Sequence, residues 1–506
     1  MPSIKRNTGL PVARAQAGAL LVLASLLGVL AGHAQPGTLT DLSTEIGLKE
    51  HLRAAIERAD LGEQVGISVV DARSGRSVFS LNATAPLNPA SNMKLVTAAA
   101  TLLELGPDFH MLTGLYGQVQ GDAVVSGLYF KGYGDPTLTD ADLVVLAQQL
   151  VARGVQKVDE VVVDGSYFDD QLLAPGFEEQ PNEVSPFRAA IAAVSVNENA
   201  FTLRVNPGPI AGAPASAWVD AEGHFTLSNA ITTSPGGAPN VIAVQSQKAD
   251  KLVLHLSGSV PLGIAGVSYE RRVESPLHYA GYALVEALRA MRIQVPRRVR
   301  LATMPKGTAL LASHQSPPLA QMLGALGKQS DNFVAETLLK VLGAERVGVP
   351  GRSSHGASAA LSAMKRLGVP PQGMRMVNGS GLFGGGRVSA GQLTKLLAAM
   401  YGDPSVRPEF VAQLAVAGVD GTLVRRMKQL PAPRIVRAKT GTLDDVIALS
   451  GYVLGRAPER VLAFSVLCNG VHGKHAAARE LTDQVATNIA LHLWAPERPS
   501  SPTPHP

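Results

Sequence analysis

Cysteine is almost absent: Cys468 is the only one in 506 residues. No intrachain disulfide can form, and a cysteine-rich metal site is excluded. Charged residues are sparse at 17%, against 46% hydrophobic, a balance too apolar for a disordered chain and sufficient for a sizeable core. A strong charge of one sign is also lacking. The formal charge is +5, but Lys5, Arg6 and Arg14 stand in the first 34 residues without an acid, leaving 42 basic and 40 acidic residues beyond them. So balanced a chain has no electrostatic footprint for nucleic acid, and none is expected as a partner. Apolar runs are short throughout. Residues 17–32 form one, but a membrane span needs about 20 residues. Positive residues before it and Gly32-His33-Ala34 after it read as a secretory signal cleaved after Ala34, with an uncleaved N-terminal anchor as the alternative. The mature chain is expected to be periplasmic or otherwise exported, with no transmembrane span.

What is present suggests about three domains at roughly 150 residues each. Residues 39–59 have apolar positions at helical spacing. Val65-Gly-Ile-Ser-Val-Val70, a turn through Gly75 and a strand over 77–81 make a hairpin. A Pro-bearing loop then leads into a helix beginning at Ser91 and stopped by Gly106-Pro107. From 112 to 272 short β-like runs recur (123–130, 158–163, 201–205, 241–245 and 252–256), broken by one helix carrying Leu143, Leu146, Ala147, Leu150 and Val151 on one face. This region reads as an inserted β-rich part with its own core. Helical spacing returns at 277–291, 319–326 and 333–342. Strands at 435–442, 449–453 and 461–468 follow, then a helix over 476–493 and a Pro-rich tail from 496, expected to be disordered. Composition alone gives an α/β or α+β multidomain chain.

Three short motifs carry chemistry. Ser91-Asn92-Met93-Lys94 sits at a helix start, and residues three apart share a helix face, so the Lys94 amine reaches the Ser91 hydroxyl. Free N–H groups and the helix dipole there favour developing negative charge. Ser330-Asp331-Asn332 lies between two helical segments, and Lys439-Thr440-Gly441-Thr442 on a strand, where glycine lets a ligand's backbone approach. Each alone has an ordinary explanation: a capping serine with a surface lysine, a turn, an edge-strand lysine. Together and in this order they match the penicillin-recognising serine acyl-transferase set. Other candidates have simpler readings. His472 and His475 lack the glutamate of a zinc-protease helix. Cys468 reads as a small buried hydrophobe, Glu336 as a hydrogen-bonding group and Ser380 as a turn residue.

The chain resembles the class C low-molecular-mass penicillin-binding proteins, the D-alanyl-D-alanine carboxypeptidase/endopeptidase family. The likeness is carried by residues 88–100 around Ser91, Gly132-Tyr-Gly-Asp-Pro-Thr-Leu-Thr139, Ser195-Val-Asn-Glu-Asn199, residues 330–336, Val416-Ala-Gly-Val-Asp-Gly-Thr422 and residues 437–443. Lys94 and Ser330 are separated by 235 residues, too many for a loop within one domain and in keeping with the family's insertion. The resemblance implies a penicillin-recognising serine transpeptidase/β-lactamase-like domain, a five-stranded antiparallel sheet flanked by helices, from 35–111 and 273–495, with the β-rich insertion between. It implies Ser91, Lys94 and Ser330 as catalytic residues, with Asn332, Lys439, Thr440, Gly441 and Thr442 binding substrate. Nearby charge on Lys439 would help keep the Lys94 amine neutral. Peptidoglycan peptides are the implied substrates and β-lactams covalent inhibitors; neither a metal nor a cofactor is implied. A catalytically silent peptidoglycan-binding module and a β-lactamase-like hydrolase are the alternatives. One departure stands out: Asn378-Gly-Ser-Gly-Leu-Phe383 replaces the usual D-G-S-G-L-S loop.

Overall fold

The computed structural model describes residues 41–496 apart from 222, 249 and 250, so the proposed signal and the tail beyond 496 lie outside it. A helix, Glu45–Ala59, opens the described chain; Thr44 caps it by accepting from the Gly47 N–H. The hairpin follows as strands Val65–Asp71 and Ser77–Leu81. Its first strand pairs antiparallel with Val461–Asn469, near the other end of the chain, with Val65 opposite Cys468. The complete sheet is antiparallel with six strands, in the order Ala415–Val416, Val436–Leu443, Val446–Leu454, Val461–Asn469, Val65–Asp71, Ser77–Leu81. That is one more strand than the resemblance implied. The extra strand has only two residues, too few to show a period of two in the sequence.

Both faces of this sheet are covered, which explains why its central strands are apolar without a polar side. Along Val446–Leu454, Ile447, Leu449 and Val453 join a core with the first helix and the last, His475–Trp494. Ala448 and Tyr452 point the other way, into a core with helices Met93–Leu105, Asn332–Arg346 and Ala390–Gly402. Two buried hydroxyls within the sheet, Ser450 and Ser465, are directly opposite each other and hydrogen-bond at 2.8 Å, so neither is buried unpaired.

A second region holds the β-rich stretch. Its main sheet runs Val299–Leu301, Val161–Asp164, Ala123–Gly132, Leu112–Gln120, Leu310–Gln315, with the short Lys157–Val158 strand beside Ala123–Gly132. Two three-stranded sheets share its core: Asn240–Lys248, Lys251–Pro261 and Thr226–Ser234 form one, and Val267–Arg272, Ala200–Asn206 and Ser216–Val219 the other. Sharing continues past residue 272. Tyr279, Leu284 and Leu288 of helix Pro276–Ala290 belong to this core, and strands Val299–Leu301 and Leu310–Gln315 form the two edges of the main sheet. Helical spacing over 277–291 announces an amphipathic helix but not which sheet its apolar face covers.

Candidate active site

The segment before Ser91 is held from both sides. Asn469, ending a central strand, accepts from the Asn88 N–H at 2.8 Å and donates to the Asn88 carbonyl at 2.9 Å. Asn88 in turn accepts from the Ala90 N–H at 2.9 Å. A single 3-10 turn, Ala90–Asn92, then runs into the helix Met93–Leu105, so Ser91 and Lys94 stand one turn apart on one face. Lys94 is fully buried. Its Nζ lies 3.1 Å from Ser91 Oγ, 2.6 Å from Asn332 Oδ1 and 2.9 Å from the Ser380 carbonyl. A protonated amine donates to all three oxygens. A neutral one donates to two and presents its lone pair to the Ser91 hydroxyl.

Burial pulls the Lys94 amine down to about 7, against the attraction of the Glu336 and Asp331 carboxylates. Desolvation is thus the largest cause of the neutral amine. Burial first, and then the charge of Lys94, also push Lys439 well below the ordinary lysine range, and that repulsion is shared by both amines. Lys439 Nζ donates to Ser330 Oγ at 2.7 Å and to the Thr440 carbonyl at 2.9 Å. Ser330 is in the left-handed region (φ 64) directly after a π-helical turn, 325–329, and this turns its side chain toward Lys439. Asp331 caps the next helix by accepting from the Val334 N–H at 3.0 Å, and Asn332 is that helix's first residue.

All three motifs thus meet. Ser91, Lys94 and Asn332 form one hydrogen-bonded group, and Lys439 with Ser330 a second, the two joined through adjacent residues of 330–332. Thr440, Gly441 and Thr442 continue the strand along the same edge. Thr440 Oγ1 is 2.8 Å from Thr422 Oγ1, and a Cβ on Gly441 would crowd the Pro89 carbonyl at 2.8 Å. Thr442 is exposed while Lys439 is buried, so the strand passes from the interior to the cleft.

Two backbone carbonyls at the site escaped sequence reasoning, while Glu336 is the hydrogen-bonding group it was read as. The Ser380 carbonyl anchors Lys94, while Ser380 Oγ is buried and accepts from the Leu382 N–H, as a turn residue does. Glu336 holds that turn by accepting from the N–H groups of Gly379 (2.9 Å) and Ser380 (2.7 Å); burial raises its carboxyl, and these donors and Lys94 oppose the rise. The Phe187 carbonyl, from the β-rich part of the chain, accepts from Asn332 Nδ2 at 3.0 Å. A backbone carbonyl carries no residue-type signal, so nothing in the sequence marks it. Next to it Arg188 donates to the carbonyls of Gln180 and Glu183 and lies over the Phe383 ring, 5.7 Å from its centre. Cys468 is buried, which pushes its thiol up to about 12, and His472 is exposed beside Asp444. Among the described residues no group of His, Cys, Asp or Glu is arranged to hold a metal ion.

An antiparallel sheet between helical layers, with a β-rich lobe beside it, is the architecture of a penicillin-binding protein. The structure matches that of penicillin binding protein 4 (dacB) from Haemophilus influenzae with a TM-score of 0.75 at 24% identity, covering 88% of this chain and 99% of that one. The chain belongs to the D-Ala-D-Ala carboxypeptidase 3 (S13) family, whose model matches residues 48–490. It is similar to the D-alanyl-D-alanine carboxypeptidase of Actinomadura sp. (strain R39), 34% identical over 89% of this chain and 86% of that protein. It is also similar to Carboxypeptidase DacB of Mycolicibacterium smegmatis, 30% identical over 86% of this chain and 84% of that protein. Among the described residues no helix is long and apolar enough to cross a membrane.

Proposed function

We propose that the chain is a serine-type D-Ala-D-Ala carboxypeptidase/endopeptidase that acts on peptidoglycan stem peptides through an acyl-enzyme on Ser91, and that β-lactams inhibit it there. The observation that carries this reading is the meeting of Ser91 and Lys94 with Asn332, Ser330 and Lys439 across a gap of 235 residues in the chain. Ser91 Oγ attacks the carbonyl between the terminal D-alanines as its proton passes to the neutral Lys94 amine. The oxyanion rests on the N–H groups of Ser91 and Thr442, where each donor contributes about 3 kcal/mol. Ser330 relays the proton to the departing D-alanine nitrogen as the C–N bond breaks, and water then hydrolyses the Ser91 ester. Asn332 binds the peptide group, and Lys439, Thr440 and Thr442 hold the terminal carboxylate, with Gly441 letting their strand lie close against the Pro89 carbonyl. Burial pushes Lys439 down, and an arriving carboxylate restores its charge by pairing with it.

The reading extends to location and domains. Residues 1–34 direct export and are removed after Ala34, placing the enzyme where peptidoglycan is. Residues 112–272 form an insertion whose core recruits 276–315. Trapping with labelled penicillin followed by peptide mapping tests the whole proposal: the label is expected on the peptide carrying Ser91. Label on Ser380 would overturn the assignment, and absence of label on folded protein would leave the silent binding module in its place.

A further inference from the structure

A second cavity, of about 660 Å³, opens where three arginines from separate parts of the fold converge. Arg73 comes from the turn after strand Val65–Asp71, Arg407 from the start of helix Arg407–Ala412, and Arg437 from strand Val436–Leu443. Among the described residues none of the three forms a salt bridge. Glu459 is the one carboxylate in the lining, so the cavity carries an excess of two positive charges. Like charges gathered in a concave surface raise one another's cost, and water screens them least at Arg437. Its Nε is shielded from solvent and has no hydrogen-bond partner among the described residues. Burial and the neighbouring Arg434 charge lower its guanidinium from the ordinary value, against the attraction of the Asp420 carboxylate. Arg407 is steadied by the Tyr401 ring, 5.4 Å from its centre, and Val411 and Leu454 supply an apolar wall.

This arrangement has a chemical sense if an anion belongs there. Guanidinium groups offer planar, paired donors that suit carboxylate and phosphate oxygens. The volume suits a small organic ligand better than a bare ion, since such sites span about 300–1,000 Å³. We propose that this cavity is a binding site, separate from Ser91, for an organic ligand bearing a phosphate or carboxylate group, with the guanidinium groups of Arg437, Arg73 and Arg407 as its donors. Arg437 stands two residues before Lys439 on the same face of the strand, so an occupant would lie roughly 7 Å along the strand from the active-site lysine.

Calorimetric titration of the full chain at low salt with pyrophosphate, a glycerol phosphate oligomer and citrate tests this. At least one probe is expected to bind and to weaken tenfold or more in Arg437→Gln, in the double variant Arg73→Ala/Arg407→Ala, and on raising the salt. Tighter binding of the phosphate probes assigns a phosphate-bearing ligand, and tighter binding of citrate a carboxylate-bearing one. Should Arg437→Gln lose its fold, the double variant decides alone, because both its side chains are exposed. The proposal is overturned if no probe binds the wild type, or if the double variant binds every probe as the wild type does. Penicillin labelling of Ser91, read in the same double variant, is expected to be unchanged. Its loss there would count against the separateness of the two sites, while absence of labelling in the wild type would count only against the Ser91 reading.

Discussion

The Ser91 hydroxyl and Lys94 amine, 3.1 Å apart, put the first predictions at the scale of single residues. Ser91→Ala removes the attacking oxygen from a turn that continues into a helix, where alanine is well tolerated. Its melting temperature is expected to stay within a few degrees of wild type, while penicillin labelling disappears and D-alanine release falls by several orders of magnitude. Burial holds the Lys94 amine at about 7, so its neutral, proton-accepting form grows as the pH rises through that value. Stopped-flow acylation rates should climb with pH and level off above it. A rate flat from pH 5 to 9 would remove Lys94 as the base. The same shift has a stability sign: between about 7 and the ordinary lysine value the unfolded chain binds more protons, so this group makes unfolding harder as pH rises there. Lys439→Ala takes away the group proposed to face the substrate terminus and should slow acylation by peptides. Amidating that terminus should then hurt the wild type much more than the variant; equal losses would exclude Lys439 as the carboxylate partner.

At the scale of elements, the loop 378–383 decides how Lys94 is held. Asn378 donates to the carbonyls of Pro175 at 2.9 Å and Leu382 at 3.0 Å, and accepts from the Gly381 N–H at 2.9 Å. An aspartate, the residue usual at this point in the resembling family, would set a carboxylate oxygen against two carbonyl oxygens. Asn378→Asp is therefore expected to lower stability by about 1–3 kcal/mol, the cost of leaving buried polar groups unpaired, and thermal unfolding measures it. Gly381 (φ 72) is fixed by the same loop, because a Cβ there would collide with the Ala90 carbonyl beside the nucleophile. Phe383 is linked to the departure at Asn378. Its ring stacks edge-on against Phe177 at 5.9 Å and lies under Arg188, tying this loop to residues 177–188, whose Phe187 carbonyl touches Asn332.

Over the whole molecule, one core joins the two chain ends on the six-stranded sheet, and another gathers the β-rich part with residues 276–315. A deletion of 112–272 alone would strand helix Pro276–Ala290 and the edge strands Val299–Leu301 and Leu310–Gln315 without partners. Replacing 112–315 by a short linker is the better test. The product is expected to fold less stably, because Tyr167, Phe168 and Ile191 leave the core beside helix Met93–Leu105 and buried Lys340 loses Asp169, and to take penicillin label more slowly because the Phe187 contact to Asn332 is lost. A soluble, folded product that takes no label would show that this region builds the active site. Mass spectrometry of the exported protein should find a chain beginning at Gln35; intact Met1 on membranes would mean an uncleaved anchor.

The three motifs, the central strands and most helices were legible in the sequence because each rests on local rules. S-x-x-K on a helix face, S-x-N after a helical segment and K-T-G on an apolar strand need only period and residue type. The sequence also marked the hairpin over 65–81 and the strands at 435–442, 449–453 and 461–468, by residue type and turn signals alone. What tertiary structure alone decided depends on partners distant in the chain. These are the two-residue strand at 415–416, the sheet that claims helix Pro276–Ala290, and the backbone carbonyls of Ser380 and Phe187 at the site. The depressed Lys94 amine belongs with them. Its cause is burial by surrounding helices and strands, and desolvation is a property of the packed interior, not of the residue.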